Sequence, residues 1–253
     1  MKNINLTILG SGSMIPTKDR NPAGFLLEIG NYKILLDCGH GIIRRLIDYG
    51  YNLQDINLTF ISHFHTDHCG DAFNLIHSRF VDDMYNKREH KKLLYLCPIN
   101  TGAHFKSWRK IFWPECNEKY PVKFKEGVSR LVIGDIKIET FAVKHVKWFQ
   151  SIGLVIKYKN KKLVYTGDIG SDHDFNDLIK KTDGADLLIT EASYEKPTPN
   201  HFTVEQVKDL KQKANVKKVL IFHFRPQTEK RIKHLLSRQE DFIIKKDGDT
   251  LFI

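Results

Sequence analysis

The stretch ISHFHTDHCGD, residues 61–71, places three histidines and two aspartates in eleven positions at the end of the apolar run Leu58-Thr59-Phe60-Ile61. His63 and His65, two positions apart, can point the same way from an extended chain. A turn after them can bring Asp67 and His68 back to the same place. Imidazole and carboxylate together are the ligand chemistry of zinc, manganese and iron. Left unpaired at the end of a buried strand, such groups would be costly, and a bound cation removes that cost. The cluster carries more donors than one ion needs, which points to two. An isolated histidine would read as a solvated or packing residue. A tight His/Asp cluster between a β-rich run and a helix reads as a metal site.

Short β-rich runs alternating with amphipathic helices must position this cluster. Leu6–Leu9, Leu58–Ser62, Ile136–Val143, Asp186–Thr190 and Val219–Phe222 read as strands. Residues 25–29 and 33–36 read as a hairpin turning at Gly30-Asn31, and residues 153–158 and 161–166 as another around Lys159-Asn160. Residues 242–244 and 251–253 read as a closing hairpin around Asp247-Gly248. Helical spacing covers 41–49 and 71–85, and Thr203 with Gln206 forms a capping-box pattern before a helix over 204–214. No Pro/Gly-rich linker divides the chain, so residues 1–253 read as one α/β domain. Residues 86–130 break the rhythm and read as a helix and loop insertion. Within it, Lys106, Arg109 and Lys110 alternate with Phe105, Trp108, Phe112 and Trp113. That mixture suits either single-stranded RNA or an amphipathic helix with its aromatic face packed inward, and packing is the commoner outcome.

Composition narrows the partners. Lys plus Arg is 40 against 30 Asp plus Glu, a formal charge of +10, which favours anionic ligands without specifying one. Cys38, Cys69, Cys97 and Cys116 form no CxxC pair. No stretch approaches the length of a membrane-spanning helix, and no secretory h-region opens the chain, so the expectation is a cytoplasmic protein with reduced thiols and no membrane partner. GSGSMIP at 10–16 has Ile15 and Pro16 where a dinucleotide loop needs glycine, which excludes a Rossmann reading.

The H-x-H-x-D-H order of His63, His65, Asp67 and His68 resembles the signature of the metallo-β-lactamase superfamily, and the resemblance runs over nearly the whole chain. It implies a four-layer αββα sandwich with a dinuclear site at one edge, and further ligands at downstream strand ends. His145 after ETFAVK, Asp168 in LVYTGDIG and His223 in VLIFHF stand where these are expected. The resemblance implies that His63, His65 and His145 hold one metal, that Asp67, His68 and His223 hold the other, and that Asp168 bridges them. The metals are two divalent ions, zinc first, with manganese or iron as alternatives. Their bridging hydroxide is the nucleophile, with Asp67 orienting it or taking its proton.

The flanks resemble the ribonuclease Z branch. Pro16, Thr17, Arg20 and Asn21 match its PT-x-x-RN piece, Leu35 to Gly41 its LLDCG-x-G piece apart from His40 in place of an acidic residue, and LLITEASYEKP, NHFTVEQ and LIFHFRP its later motifs. The resemblance makes His201 an acid that assists the leaving oxygen and Glu191 the carboxylate that holds its imidazole. It implies a phosphodiesterase or endoribonuclease acting on RNA, such as a transfer RNA precursor, or on a small phosphodiester, and a homodimer. Only 22 residues separate His145 from Asp168, too few for the long arm by which many of these enzymes grip transfer RNA. Related armless members include cyclic phosphodiesterases. His65 replaces the glutamate of flavodiiron proteins, and Asp168 sets the chain apart from most zinc β-lactamases. A β-lactam, lactone or thioester hydrolase on the same centre is the alternative, and a catalytically inactive RNA-binding protein comes third.

Overall fold

A computed structural model describes residues 4–114 and 120–253. Cys116 lies outside the described residues; Cys38, Cys69 and Cys97 are free thiols. Two seven-stranded sheets form the centre. The first contains β1 (Ile4–Gly10), β2 (Gly24–Ile29), β3 (Tyr32–Leu36), β4 (Ile56–Phe60), β5 (Leu93–Cys97), β6 (Val122–Glu126) and β14 (Thr250–Phe252). The second contains β7 (Arg130–Ile133), β8 (Ile136–Val143), β9 (Ser151–Tyr158), β10 (Lys161–Tyr165), β11 (Leu187–Glu191), β12 (Lys218–Phe222) and β13 (Phe242–Ile243).

Period-two alternation makes these sheets two-faced. Leu6, Phe25, Leu36 and Phe60 of the first sheet pack against Ile138, Leu154, Tyr165 and Phe222 of the second. Phe222 meets Phe25 edge-on, with centroids 5.4 Å apart and planes at 90°. Truncating such a ring to alanine costs about 3–5 kcal/mol. The opposite faces are covered by helices. The apolar stripes of α1 (Ile42–Asp48), α3 (Ala72–Tyr85) and α4 (Thr101–Phe112) place Leu46, Leu75 and Phe105 on the first sheet. Those of α5 (Phe175–Thr182), α6 (Val204–Lys213) and α7 (Glu229–Leu236) place Leu178, Leu210 and Ile232 on the second. This is the four-layer αββα sandwich that the motifs imply. The capping box at α6 forms as its sequence predicts.

Two readings of the sequence are corrected. The predicted hairpin at 242–253 does not form: β13 pairs in parallel with β12 in the second sheet, and β14 pairs antiparallel with β1 in the first. The Asp247-Gly248 turn carries the chain between sheets, because Asp247 accepts hydrogen bonds from Ser11 and Asn21 instead of closing a two-residue turn. The segment 86–130 is more than helix and loop. LLYLC is buried enough to pair beside β4 as β5, and β6 extends the same sheet. The large apolar residues on and just after α4 divide: Phe105 and Trp113 are buried in the layer between helix and sheet, Trp108 packs at its margin, and Ile111 and Phe112 are exposed.

Candidate metal centre

The donors gather at one edge of the sandwich, where β4, β8, β10, β11 and β12 end. His63 and His65 follow β4, and the four-residue turn of helix α2 (Thr66–Cys69) swings Asp67 and His68 back beneath them. Gly39 makes room for that turn, since a Cβ there would stand 2.1 Å from the Asp67 carbonyl oxygen. Gly167, with φ +59, brings Asp168 in behind β10, and a Cβ would meet Ser62 at 2.6 Å. His223 itself has φ 61, a left-handed conformation that costs a non-glycine residue energy and must be held by its surroundings. An isolated bridge between Gly12 and Phe224 holds it.

Three donor sets result. His63, His65, His145 and Asp168 form one, Asp67, His68 and His223 a second, and Asp168, His201 and His223 a third, each with its ligating atoms within 4.8 Å of one another. His65 Nδ1 lies 3.0 Å from His63 Nε2 and 3.1 Å from His145 Nε2. Burial pushes the pKa of all three imidazoles below the ordinary value, so they are neutral and offer lone pairs. Lone pairs converging this closely repel unless a cation sits among them. Asp168 lies between the first two sets, with Oδ1 3.3 Å from His68 Nε2 and Oδ2 3.2 Å from His223 Nε2 and 3.9 Å from His145 Nε2.

The ring orientations are fixed from behind. His68 Nδ1 faces Asp37 Oδ2 at 2.6 Å, and His145 Nδ1 faces the Asn200 carbonyl at 2.6 Å. Both partners can only accept, so each Nδ1 carries hydrogen and each Nε2 faces the site. Ser62 Oγ donates to Asp37 at 2.8 Å and therefore accepts from His63 Nδ1 at 2.9 Å. Ser193 Oγ donates to the His223 carbonyl at 3.0 Å and accepts from His223 Nδ1 at 2.8 Å. Such outer partners are what metal-binding histidines require.

Three of the donor atoms also lack any hydrogen-bond partner. His68 Nε2, Asp67 Oδ1 and Asp168 Oδ1 are buried without a hydrogen bond. Orphaned polar atoms of this kind cost free energy that a cation would remove, so the residues present fit divalent metal. Burial alone would raise the Asp168 carboxyl, but His223 and His68 hold its pKa well below the ordinary value. Burial likewise opposes charge on His68, yet Asp168, Asp67 and Asp37 outweigh it and raise its pKa well above the ordinary value.

His201 belongs to the third set by distance but not by chemistry. Its Nδ1 is engaged by Glu191 Oε1 at 2.8 Å. Burial disfavours its charge, but Glu191 and then Asp168 raise its pKa to about 9. His201 turns this same Nδ1 toward Asp168 Oδ2 at 3.9 Å, so its nitrogen nearest the donors is already taken by Glu191. It lines a cavity of about 270 Å³ together with His65, Asp67, Asp168 and His223. Glu191 also accepts from the Ile169 N–H at 3.0 Å, which ties the His201–Glu191 pair to the Asp168 loop.

His63, His65, Asp67, His68, His145, Asp168, His223, His201 and Glu191 lie at this edge, whereas Lys106, Arg109 and Lys110 lie on α4. Sequence reasoning missed Asp37, Ser62, Ser193, Tyr194 and Arg225. Asp37 carried a readable signal, since in LLDCG it follows a buried strand as Asp168 does in LVYTGD.

Comparison with known proteins agrees with this fold. Ribonuclease Z of Pyrococcus furiosus is 25% identical over 88% of this chain and 87% of its own length. The metallo-β-lactamase fold protein YhfI from Bacillus subtilis superposes with a TM-score of 0.80 at 21% identity, covering 99% of this chain and all of YhfI. The short form of human tRNase Z superposes with a TM-score of 0.79 at 18% identity, covering 98% of each chain. The chain therefore has the metallo-β-lactamase fold in its ribonuclease Z-like form. The model of one family within it, described as Anti-Pycsar protein Apyc1, matches residues 4–247, and the chain belongs to that family.

Proposed function

We propose that this protein is a metal-dependent phosphodiesterase whose centre would take two divalent cations, zinc first, with Asp168 available to both donor sets. His63, His65 and His145 would hold one ion, and Asp67, His68 and His223 the other. When bound, the ions supply Lewis acidity and a hydroxide nucleophile near neutral pH. The chain's own groups do the rest. Asp67 is placed to orient the attacking oxygen, its Oδ2 being 3.2 Å from His223 Nε2 and its Oδ1 free. His201 delivers a proton to the departing oxygen, and Glu191 keeps that proton on the imidazole.

The observation that carries this reading is the His201–Glu191 pair at 2.8 Å on the wall of the cavity that Asp168 and His223 also line. A thioester releases a thiolate with little need for such an acid, whereas an alkoxide leaving from phosphorus needs it. The naming of the Pyrococcus relative as a ribonuclease Z and of the human neighbour as a tRNase Z supports the same bond. The substrate is RNA or a small phosphodiester. The cavity is small, and β9 and β10 are joined through Lys159-Asn160 alone, leaving no arm to grip a folded RNA.

The test is a parallel assay of protein with measured metal content. Bis(p-nitrophenyl) phosphate, single-stranded RNA, a precursor transfer RNA and a chromogenic β-lactam are each offered with and without chelator. Chelator-sensitive phosphodiester cleavage with an inert lactam is expected. Lactam turnover with inert phosphodiesters would overturn the reading in favour of the alternative hydrolase.

A further inference from the structure

Rings stack in a column outward from the metal ligands. His223 and His201 have centroids 5.4 Å apart with planes at 21°, and His201 and Tyr194 have centroids 4.6 Å apart with planes at 9°. On the next layer the Arg225 guanidinium lies 4.4 Å from the centre of the Tyr194 ring. Arg225 is only two residues beyond His223, so the column curls around the cavity, and both Tyr194 and Arg225 line it.

Arg225 differs from the arginines near it. Arg20 is paired to Glu229 at 2.8 Å and Arg231 to Glu195 at 2.7 Å. Among the described residues, no carboxylate oxygen comes within ion-pair distance of Arg225, and no hydrogen bond from its guanidinium is formed. Its flat face is used on Tyr194. Its N–H edge is therefore the free part, and a guanidinium has donors and no acceptor. The ligand it awaits must bring acceptor oxygens. Beside it the wall is apolar, with Met14 and Ile15 at 45% and 58% exposure, and these two side chains suit the flat or aliphatic part of the same ligand.

We infer that Arg225, braced by Tyr194, recognises the leaving group of the phosphodiester: a nucleoside whose base or sugar oxygens accept hydrogen bonds from the guanidinium edge. This rests on the phosphodiesterase reading above. The side follows from the order of the column. His201 meets the departing oxygen, and Tyr194 and Arg225 lie beyond His201, where the rest of the departing group must be.

The experiment uses the metal-loaded protein and three substrates: bis(p-chlorophenyl) phosphate, whose aryl leaving group has no acceptor besides the departing oxygen, a dinucleoside monophosphate, and its analogue with sulfur as the bridging atom on the leaving side. In the analogue the P–S bond breaks and the thiolate leaves without needing a proton. Arg225→Met is expected to lower kcat/KM on both dinucleoside substrates by about tenfold to a hundredfold, the size of a lost charge-assisted hydrogen bond. Turnover of the aryl diester should stay within about threefold of the parent protein. Arg225→Lys, which keeps the charge without the planar fork, should show the same substrate dependence with a smaller loss, and covers the case in which the methionine variant does not fold. Equal losses on all three substrates would overturn the inference, as would a loss that vanishes on the sulfur substrate, since Arg225 would then act only through His201. A parent protein that turns over none of the three would instead sink the phosphodiesterase reading.

Discussion

His68 Nδ1 and Asp37 Oδ2 stand 2.6 Å apart, and neither side chain is exposed to solvent. Asp37 also accepts from the Ser62 N–H at 2.7 Å, from Ser62 Oγ at 2.8 Å and from the Tyr165 hydroxyl at 2.5 Å. One carboxylate thus fixes an imidazole of the second donor set, the loop that starts the first set, and the far sheet.

This makes Asp37 a positioning residue whose loss should be felt at the metals. Asp37→Ala leaves the Ser62 and Tyr165 donors buried without a partner and frees His68 to rotate. The expected result is a loss of about 3–5 kcal/mol in stability and a tenfold to hundredfold weaker metal affinity. Denaturant unfolding and chelator competition check the two effects separately. Parental metal affinity in Asp37→Ala would remove the positioning role.

Asp168→Ala should lose metal and turnover together, because both donor sets lean on this carboxylate. Elemental analysis of the purified variant is the direct measurement. In the parent protein, stripping the metal should lower Tm, since a ligand that binds only the folded chain stabilises it. A variant that kept full metal content would place the bridge elsewhere.

The donors were legible in the sequence because each is a chemically distinctive residue set just past an apolar run. The polar atoms behind them were not. Ser62 and Ser193 are ordinary serines until the fold sets them against His63 and His223, and nothing local marks that choice. The closing hairpin failed for a related reason. Asp-Gly between apolar residues is a strong turn signal, and it does make a turn. Which sheet each flanking strand joins was decided by Ser11 and Asn21, more than 200 residues away in sequence. β5 and β6 were hidden because proline and basic residues around them read as loop, although Pro98 and Pro121 merely bound the strands.

The His201–Glu191 pair has a pH signature. In metal-free protein, His201 should titrate at about 9, and Glu191→Gln should bring it down toward the ordinary imidazole value. NMR titration of the ring protons measures both. The folded pKa lies above the unfolded one, about 6.5. The stability contributed by the pair is therefore fully present below about 6.5 and is lost as pH rises through about 9. His201→Ala should keep its metal and lose cleavage of alkoxide-leaving diesters by about a hundredfold to ten-thousandfold, the usual contribution of a positioned acid. Unchanged kinetics in that variant would remove the acid role.

The last prediction concerns Asp247, at the other end of the chain. It accepts from the Ser11 N–H and Oγ at 3.1 and 2.8 Å and from the Asn21 N–H and Nδ2 at 2.6 and 3.0 Å, which ties the closing turn to the loop carrying Ser13, Met14 and Ile15 into the cavity. Burial raises the Asp247 carboxyl above its ordinary value in spite of these donors. An acid whose folded pKa is raised costs stability as pH climbs from its unfolded pKa through its folded one. Asp247→Asn removes that titration but presents an amide N–H₂ to donors that need an acceptor. The expected net effect at neutral pH is a loss of about 1–3 kcal/mol, with the pH dependence of stability flattened on the acid side. The freed loop should raise KM more than it lowers kcat, because Asp247 anchors the loop that forms part of the cavity wall and bonds to none of the donors. A change confined to kcat, with KM and stability as in the parent, would show that the closing turn does not hold this loop.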